Sequence, residues 1–194
     1  MIGGVLSFLR KRLDDYLRAE LGGGSEPVGD KVVFVEGDKM EPLTFQEGAV
    51  SELLINVEEE RVLRAADPYL RVQEDGKPQR VQPDLRLVLY LLFVAKFKQY
   101  DQAWNHVGKV IECLQSNRVF DRQASPELPA GVDKLTVELV SQTFSEQSDV
   151  WSSLRLAYHP SVLYRVRLVL FRDVKPAARA QVTKPVVINL HGVS

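Results

Sequence analysis

The stretch from Leu85 to Ala95 constrains the fold more than any other part of the chain. It reads Leu-Arg-Leu-Val-Leu-Tyr-Leu-Leu-Phe-Val-Ala, almost without a polar break. A strand with one wet face alternates apolar with polar residues, so a short run of this kind belongs to a strand covered on both faces, at the centre of a sheet. Its uninterrupted part, Leu87 to Ala95, falls far short of the roughly 20 residues that a membrane helix needs. The rest of the chain must therefore supply a layer for each side of that strand.

Candidate layers are legible in the periodicity. Ile2, Val5, Leu6, Leu9, Leu13, Tyr16 and Leu17 recur at helical steps and predict an opening helix, with Arg10, Asp14 and Arg18 on its wet side, ended by Gly22-Gly23-Gly24. Tyr100, Trp104, Val107, Ile111 and Leu114 predict a second amphipathic helix lying on the sheet. Ser145 is placed to cap a third, which carries Val150, Trp151 and Leu154 and ends before Pro160. Clusters of β-branched residues predict strands over 31–36 and 53–57. The sequel from Glu58 to Arg64 fits either an extended strand or a helical turn. Alternation predicts strands over 134–141 and 162–170, the latter with Arg165 and Arg167 on its second face, and a last strand over 185–190. Residues 73–83 and 116–133 read as loops. The order α, β, β, β, α, β, α, β, β holds no repeat and alternates too irregularly for a doubly wound sheet. It predicts an α/β chain of the α+β type, with a single mixed or mainly antiparallel sheet flanked by helices. One domain spans residues 1–194, in which 1–24 form the N-terminal helix and glycine linker and 173–194 a C-terminal tail strand.

Composition agrees with a folded domain: 194 residues are 45% hydrophobic and 26% charged. The formal net charge of −1 supplies no basic field for nucleic acid or an anionic membrane. That mean conceals an asymmetry, because residues 1–75 hold nine basic and sixteen acidic side chains whereas residues 76–194 hold sixteen basic and ten acidic. Such a dipolar chain is suited to pairing with copies of itself. One cysteine, Cys113, forms no internal disulfide, and the charged opening segment lacks the core of a signal peptide, which together predict a cytoplasmic protein.

Catalytic chemistry needs a constellation, and none is evident. His106, His159 and His191 have no metal-ligand spacing, and Gly22-Gly23-Gly24 lacks the lysine and hydroxyl residue of a phosphate loop. Cys113 lies between Ile111 and Leu114, as a small apolar side chain would. The triplet Glu58, Glu59, Glu60 cannot converge on one ion, since consecutive side chains diverge on a strand or a helix. Arg61 and Arg64 follow at helical spacing to these acids, and can pair with them or with acids on another subunit. Arg165 and Arg167 beside Tyr164 fit an intersubunit salt bridge or a solvated strand face better than a nucleic-acid site, for no further basic cluster surrounds them. The residues read as an interaction domain with no catalytic residue, no cofactor and no metal. Its candidate interface residues are Glu58, Glu59, Glu60, Arg61, Arg64, Arg165 and Arg167.

Four segments taken in order resemble a known family. They are Met1-Ile2-Gly3-Gly4-Val5-Leu6-Ser7-Phe8-Leu9, then Leu54-Ile55-Asn56-Val57-Glu58-Glu59-Glu60-Arg61, then Leu87 to Phe93 leading to Tyr100, and finally Lys134 to Glu138 with Trp151 and Pro160 to Arg167. Together they are similar to the cap, or tail-terminator, family of extracellular contractile injection systems of the antifeeding-prophage and virulence-cassette type, over residues 1 to about 172. The resemblance implies a phage tail-terminator-like fold and a structural protein without enzymatic activity. It implies a homohexameric ring at the distal end of a phage-tail-like particle, touching sheath and inner tube and ending their growth, with neither nucleic acid nor membrane as partner. It further implies assembly in the cytoplasm and release as part of the particle. Some members carry an additional C-terminal region. A tail-completion or connector subunit shares this fold and ring, and an assembly chaperone for tail proteins is the alternative of another class. An edge strand, over 31–36 or 185–190, is the expected place for an extended arm of the sheath to add by strand pairing.

Overall fold

The computed structural model describes residues 1–21, 29–35, 43–60, 70–72, 78–80 and 85–170. Among them the chain runs through helix α1 (Ile2–Leu21) and strands β1 (Val32–Phe34), β2 (Ala49–Glu59), β3 (Leu70–Val72), β4 (Pro78–Arg80) and β5 (Leu85–Lys96). It continues with helix α2 (Tyr100–Ser116), strands β6 (Val119–Asp121) and β7 (Val132–Leu139), helix α3 (Phe144–Leu154) and strand β8 (Ser161–Leu170). One sheet has the order β1-β2-β5-β8-β7-β6, and β3 pairs with β4 in a separate hairpin. Among the described strands only β1 and β2 run parallel; the remaining pairs are antiparallel. The sheet is thus mixed and mainly antiparallel, with helices on it, as the sequence predicts.

β5 lies inside the sheet between β2 and β8, and its alternate side chains feed two different cores. Leu89, Leu91, Phe93 and Ala95 join Val5, Leu9, Leu13 and Leu17 of α1 and Val107, Val110 and Leu114 of α2. Leu92 and Val94 face the other way, onto Trp151 of α3, Phe45 and Leu163. None of these six β5 side chains is more than 1% exposed. Burying a side chain of this size contributes about 1.5–3 kcal/mol relative to leaving it in water.

α1 is fastened to the edge strand by polar groups as well as by its apolar stripe. Asp14, expected on the wet side, is buried, because its carboxylate accepts hydrogen bonds from the backbone N–H groups of Lys31 and Val32. Arg18 Nε donates to the second oxygen of Asp14 at 2.6 Å. Arg10 Nη1 donates to the carbonyl of Val32 at 3.2 Å and to Asp30 at 3.1 Å. The backbone groups of Val32 that turn away from β2 are therefore taken up by α1, which closes part of an otherwise open sheet edge. Without an acceptor at position 14, those donors would be stranded at roughly 1–3 kcal/mol each. Lys109 of α2 reaches Glu20 of α1 at 3.0 Å, which ties the two helices together, and is held by Glu112 of its own helix at 2.8 Å.

Several boundaries differ from the sequence reading, each for a local reason. β2 starts at Ala49, just after Gly48 turns the chain at φ 82°, and it runs on through Glu58 and Glu59, so this part of the ambiguous segment is extended. The two expected loops hold β4 and β6, strands of three residues too short for periodicity to reveal. The cap of α3 is Thr143, not Ser145: its hydroxyl accepts from the Glu146 N–H while the Glu146 carboxylate accepts from the Thr143 N–H. The buried stripe of α2 is Ala103, His106, Val107, Val110, Cys113 and Leu114, which leaves Tyr100 69% and Trp104 38% exposed. Arg155 closes α3 at φ 55°, where a residue with a Cβ stands in place of the usual glycine. The expected linker at 22–24 and tail strand at 185–190 lie outside the described residues.

Beneath α1, Glu52 of β2 is 3% exposed, and neither carboxylate oxygen has a hydrogen-bond partner among the described residues. Burial pushes its pKa well above the usual carboxylate range, with Arg10 pulling weakly the other way. The folded state therefore keeps a proton that the unfolded chain releases, so this group's contribution to stability is present below its unfolded pKa and is lost as pH rises through the folded one. The variant Glu52→Gln should show a flatter stability profile between pH 5 and 9 and exceed the parent at the alkaline end in urea unfolding. Parallel pH profiles for the two proteins would contradict this account of Glu52.

Candidate interface on the open face of the sheet

Among the described residues, α3 packs on one end of its face of the sheet, and the part of β2, β5, β8 and β7 beyond it carries polar side chains. Strand register sets Asn56, Tyr90, Arg165 and Glu138 in one row across the four strands, and Glu58, Val88, Arg167 and Thr136 in the next. Alternation within each strand brings these rows to the same face.

Glu138 is the hub. One of its oxygens accepts from Arg165 Nε at 3.2 Å and Nη2 at 2.7 Å, and the other accepts from Arg167 Nη1 at 2.8 Å. Arg167 Nε also stands 3.4 Å from Glu60. Glu58 accepts from the Tyr90 hydroxyl at 3.1 Å and from Asn56 Nδ2 at 3.0 Å. Strand register sets Tyr90 directly opposite Arg165, so the two halves lie side by side on the sheet. The hydrogen bond to Glu138 raises the pKa of Arg165, while burial and then Glu58 raise that of the Tyr90 phenol. These groups stay in touch with water: Arg165, Arg167 and Glu138 have side-chain exposures of 38, 36 and 34%. At that exposure each pair stabilises the fold by only about 0.2–1 kcal/mol. The network's main effect is to hold charged groups of both signs in fixed positions on an open surface.

Of the residues singled out by sequence, Glu58, Glu60, Arg165 and Arg167 are thus brought together. Glu59 alternates to the opposite side of β2 and is exposed. Arg61 and Arg64 lie outside the described residues. Glu138, Tyr90 and Asn56 were not legible as members. The only signal for Glu138 is its position between Val137 and Leu139, on the polar phase of β7, and partner choice depends on a register that the sequence does not display.

The chemistry elsewhere is structural. His106 is buried, stacked 4.0 Å from the ring of Phe97, with Nδ1 2.8 Å from the Gln102 carbonyl. Burial lowers the pKa of His159 and pushes the Cys113 thiol up to about 11. Among the described residues no cluster of His, Cys, Asp or Glu is placed to hold a metal, and no helix is long and apolar enough to cross a membrane.

The model of the Pvc16 N-terminal domain family matches residues 4–184. Two solved structures share the fold. The sheath/tube terminator of PVC, an extracellular contractile injection system, in its extended state superposes with a TM-score of 0.54 at 19% identity, over 100% of this chain and 65% of that one. The tube-terminating cap of the anti-feeding prophage superposes with a TM-score of 0.52 at 16% identity, over 91% of this chain and 59% of that one. The chain thus spans less than two thirds of the length of either protein. No curated protein matches the sequence.

If Glu138 is the hub of the network, Glu138→Ala should lower the unfolding free energy by about 1 kcal/mol at low ionic strength, and by clearly less in 1 M salt, where exposed pairs are screened. An equal loss at both salt concentrations would mean that packing of the Glu138 stem, not charge, is what the residue supplies.

Proposed function

The chain belongs to the Pvc16 N-terminal domain family, and from that premise we propose that it is a structural cap, or tail terminator, of a contractile injection system. In this reading six copies close into a ring on the distal end of the particle, where the ring ends polymerisation of inner tube and sheath. The observation that carries the reading is the fold shared with a sheath/tube terminator along the whole chain, joined to the family match over residues 4–184. The work is binding, and no reaction is catalysed. The partners are other copies of the chain, the tube and the sheath, with neither nucleic acid nor membrane among them. Assembly takes place in the cytoplasm, before the finished particle leaves the cell.

A closed ring of identical subunits needs two different patches on each subunit that fit each other. The network of Glu58, Glu60, Glu138, Arg165 and Arg167 suits one side of such a joint. It presents acids and bases whose positions are already fixed, so little side-chain freedom is lost on association. Arg61 and Arg64 extend the same charged region in sequence and belong to the proposed interface, and Glu59, exposed on the other side of β2, is offered to the neighbouring subunit at the same joint.

Native mass spectrometry across a range of concentrations tests the reading. The expected result is a six-fold multiple of the 21.9 kDa chain, shifted toward smaller species by the double variant Arg165→Glu with Arg167→Glu. Glu138→Ala serves as the control for lost intrachain pairing. If the double variant assembles like the parent, the interface assignment is wrong; a parent that stays monomeric with tube and sheath present would remove the ring itself.

A further inference from the structure

The junction of α1 with the β1 edge contains a carboxyl that neither the core nor the charged face uses. Register sets Glu52 between Phe34 of β1 and Phe93 of β5, on the face that α1 covers. Glu52 is buried, and among the described residues neither of its oxygens has a hydrogen-bond partner. Burial favours its neutral form, since an ion there would exchange water for hydrocarbon.

The positive charge that acts on Glu52 is that of Arg10. The Arg10 guanidinium lies over the ring of Phe34, 5.4 Å from its centre, and Phe34 is the direct cross-strand neighbour of Glu52. Arg10 Nη1 holds the Val32 carbonyl at 3.2 Å and Asp30 at 3.1 Å, whereas Nε is buried with no partner among the described residues. An acceptor without a donor and a donor without an acceptor thus flank one aromatic ring. The other charged groups of the surrounding elements are engaged elsewhere. Asp14 accepts from the N–H groups of Lys31 and Val32 and from Arg18, and Arg12 pairs with Glu127. The Lys31 side chain lines a hollow with Phe97 and Gln102, and His106 of α2 is stacked on Phe97. β5 offers Phe93, an apolar ring.

An ionised carboxylate in this place needs a charged donor, because an unpaired buried ion is far costlier than a paired one. Arg10 is 28% exposed at its side chain, so it stands at the boundary between the buried carboxyl and water. If Arg10 turns inward, Asp30 keeps Arg18 at 2.6 Å, and the Val32 carbonyl is the group left without its donor. That carbonyl faces outward on the edge strand, where an unpaired backbone acceptor can receive an added strand.

We propose that Glu52 and Arg10 form a two-position latch on the β1 edge: with Glu52 protonated, Arg10 covers the Val32 carbonyl, and with Glu52 ionised, Arg10 turns to the carboxylate and uncovers it. The inference does not rest on the cap reading, whose proposed interface lies on the other face of the sheet.

The test is an NMR titration of the full chain, labelled with 13C and 15N, between pH 5 and 10. It follows the Glu52 carboxyl carbon, the Arg10 Nε–H and the Val32 carbonyl carbon. All three signals should move in one step with a common midpoint above the usual carboxylate range, the Val32 carbon in the direction of a lost hydrogen bond. In Glu52→Gln the Arg10 and Val32 signals should keep their low-pH positions throughout. In Arg10→Met the Glu52 midpoint should rise further, and the Val32 carbon should stand at its uncovered position already at pH 5. A Val32 signal that stays in place while Glu52 titrates overturns the latch, as does the same step in Glu52→Gln. It is equally overturned if Glu52 titrates in the ordinary carboxylate range or stays protonated until the chain unfolds. Should Glu52→Gln fail to fold, the parent's three signals and Arg10→Met decide the matter.

Discussion

Everything in this molecule depends on a central strand whose two faces need cover of different kinds. β5 sends Leu89, Leu91, Phe93 and Ala95 to one side and Leu92 and Val94 to the other, all essentially inaccessible to water. At about 3.4 Å per residue its twelve residues reach roughly 40 Å. α1, with 20 residues, and α2, with 17, extend about 30 and 26 Å at 1.5 Å per residue and together cover one face. α3, with 11 residues, extends only about 16 Å and cannot cover the other. The strands resolve the shortfall by changing character along their length: β5 and β8 are apolar under α3 and present Tyr90, Arg165 and Arg167 beyond it. Among the described residues, the charged surface beyond α3 follows from the mismatch in length between strand and helix.

This arrangement separates the functions of the two faces. The covered face is a close-packed core reinforced by Asp14, Arg10 and Lys109, groups that fix the helices to the sheet and to each other. The open face carries pairs that contribute little to folding individually but are already ordered. A structural joint gains from that combination, because the fold does not depend on the very groups that must rearrange or share their charge with a neighbour. On the covered side and beside α3, His106, His159 and Cys113 are packed against apolar neighbours, as His106 on Phe97 illustrates.

Much of the fold was legible because it rests on periodicity. The apolar run at 85–95 marks the central strand, and the alternation in β7 and β8 marks one buried and one wet face. What stayed hidden depends on three-dimensional register or on partners far along the chain. Asp14 looks like a surface residue of a helix until the N–H groups of Lys31 and Val32 are seen to need an acceptor. Periodicity runs the α2 stripe through Tyr100, Trp104, Val107, Ile111 and Leu114, yet the helix buries Ala103 and Val110 beside Val107 and Leu114 and leaves both aromatics at the rim. Of the aromatics, Trp151 and Tyr164 are buried as their amphipathic elements suggest, whereas Trp104 and Tyr158 are partly exposed. Charged candidates on β8 and at the end of β2 were visible as residue types. Their meeting through Glu138 was not, since cross-strand neighbours are set by register.

The central claim is that this chain ends a polymer. The measurement that reaches it most directly is the length distribution, by electron microscopy, of particles assembled in cells from which the chain has been deleted and to which it is then restored. The account predicts tubes and sheaths that overrun the normal length with a broad distribution, and a return to one length when the chain is supplied. Particles of normal, uniform length in its absence would contradict it.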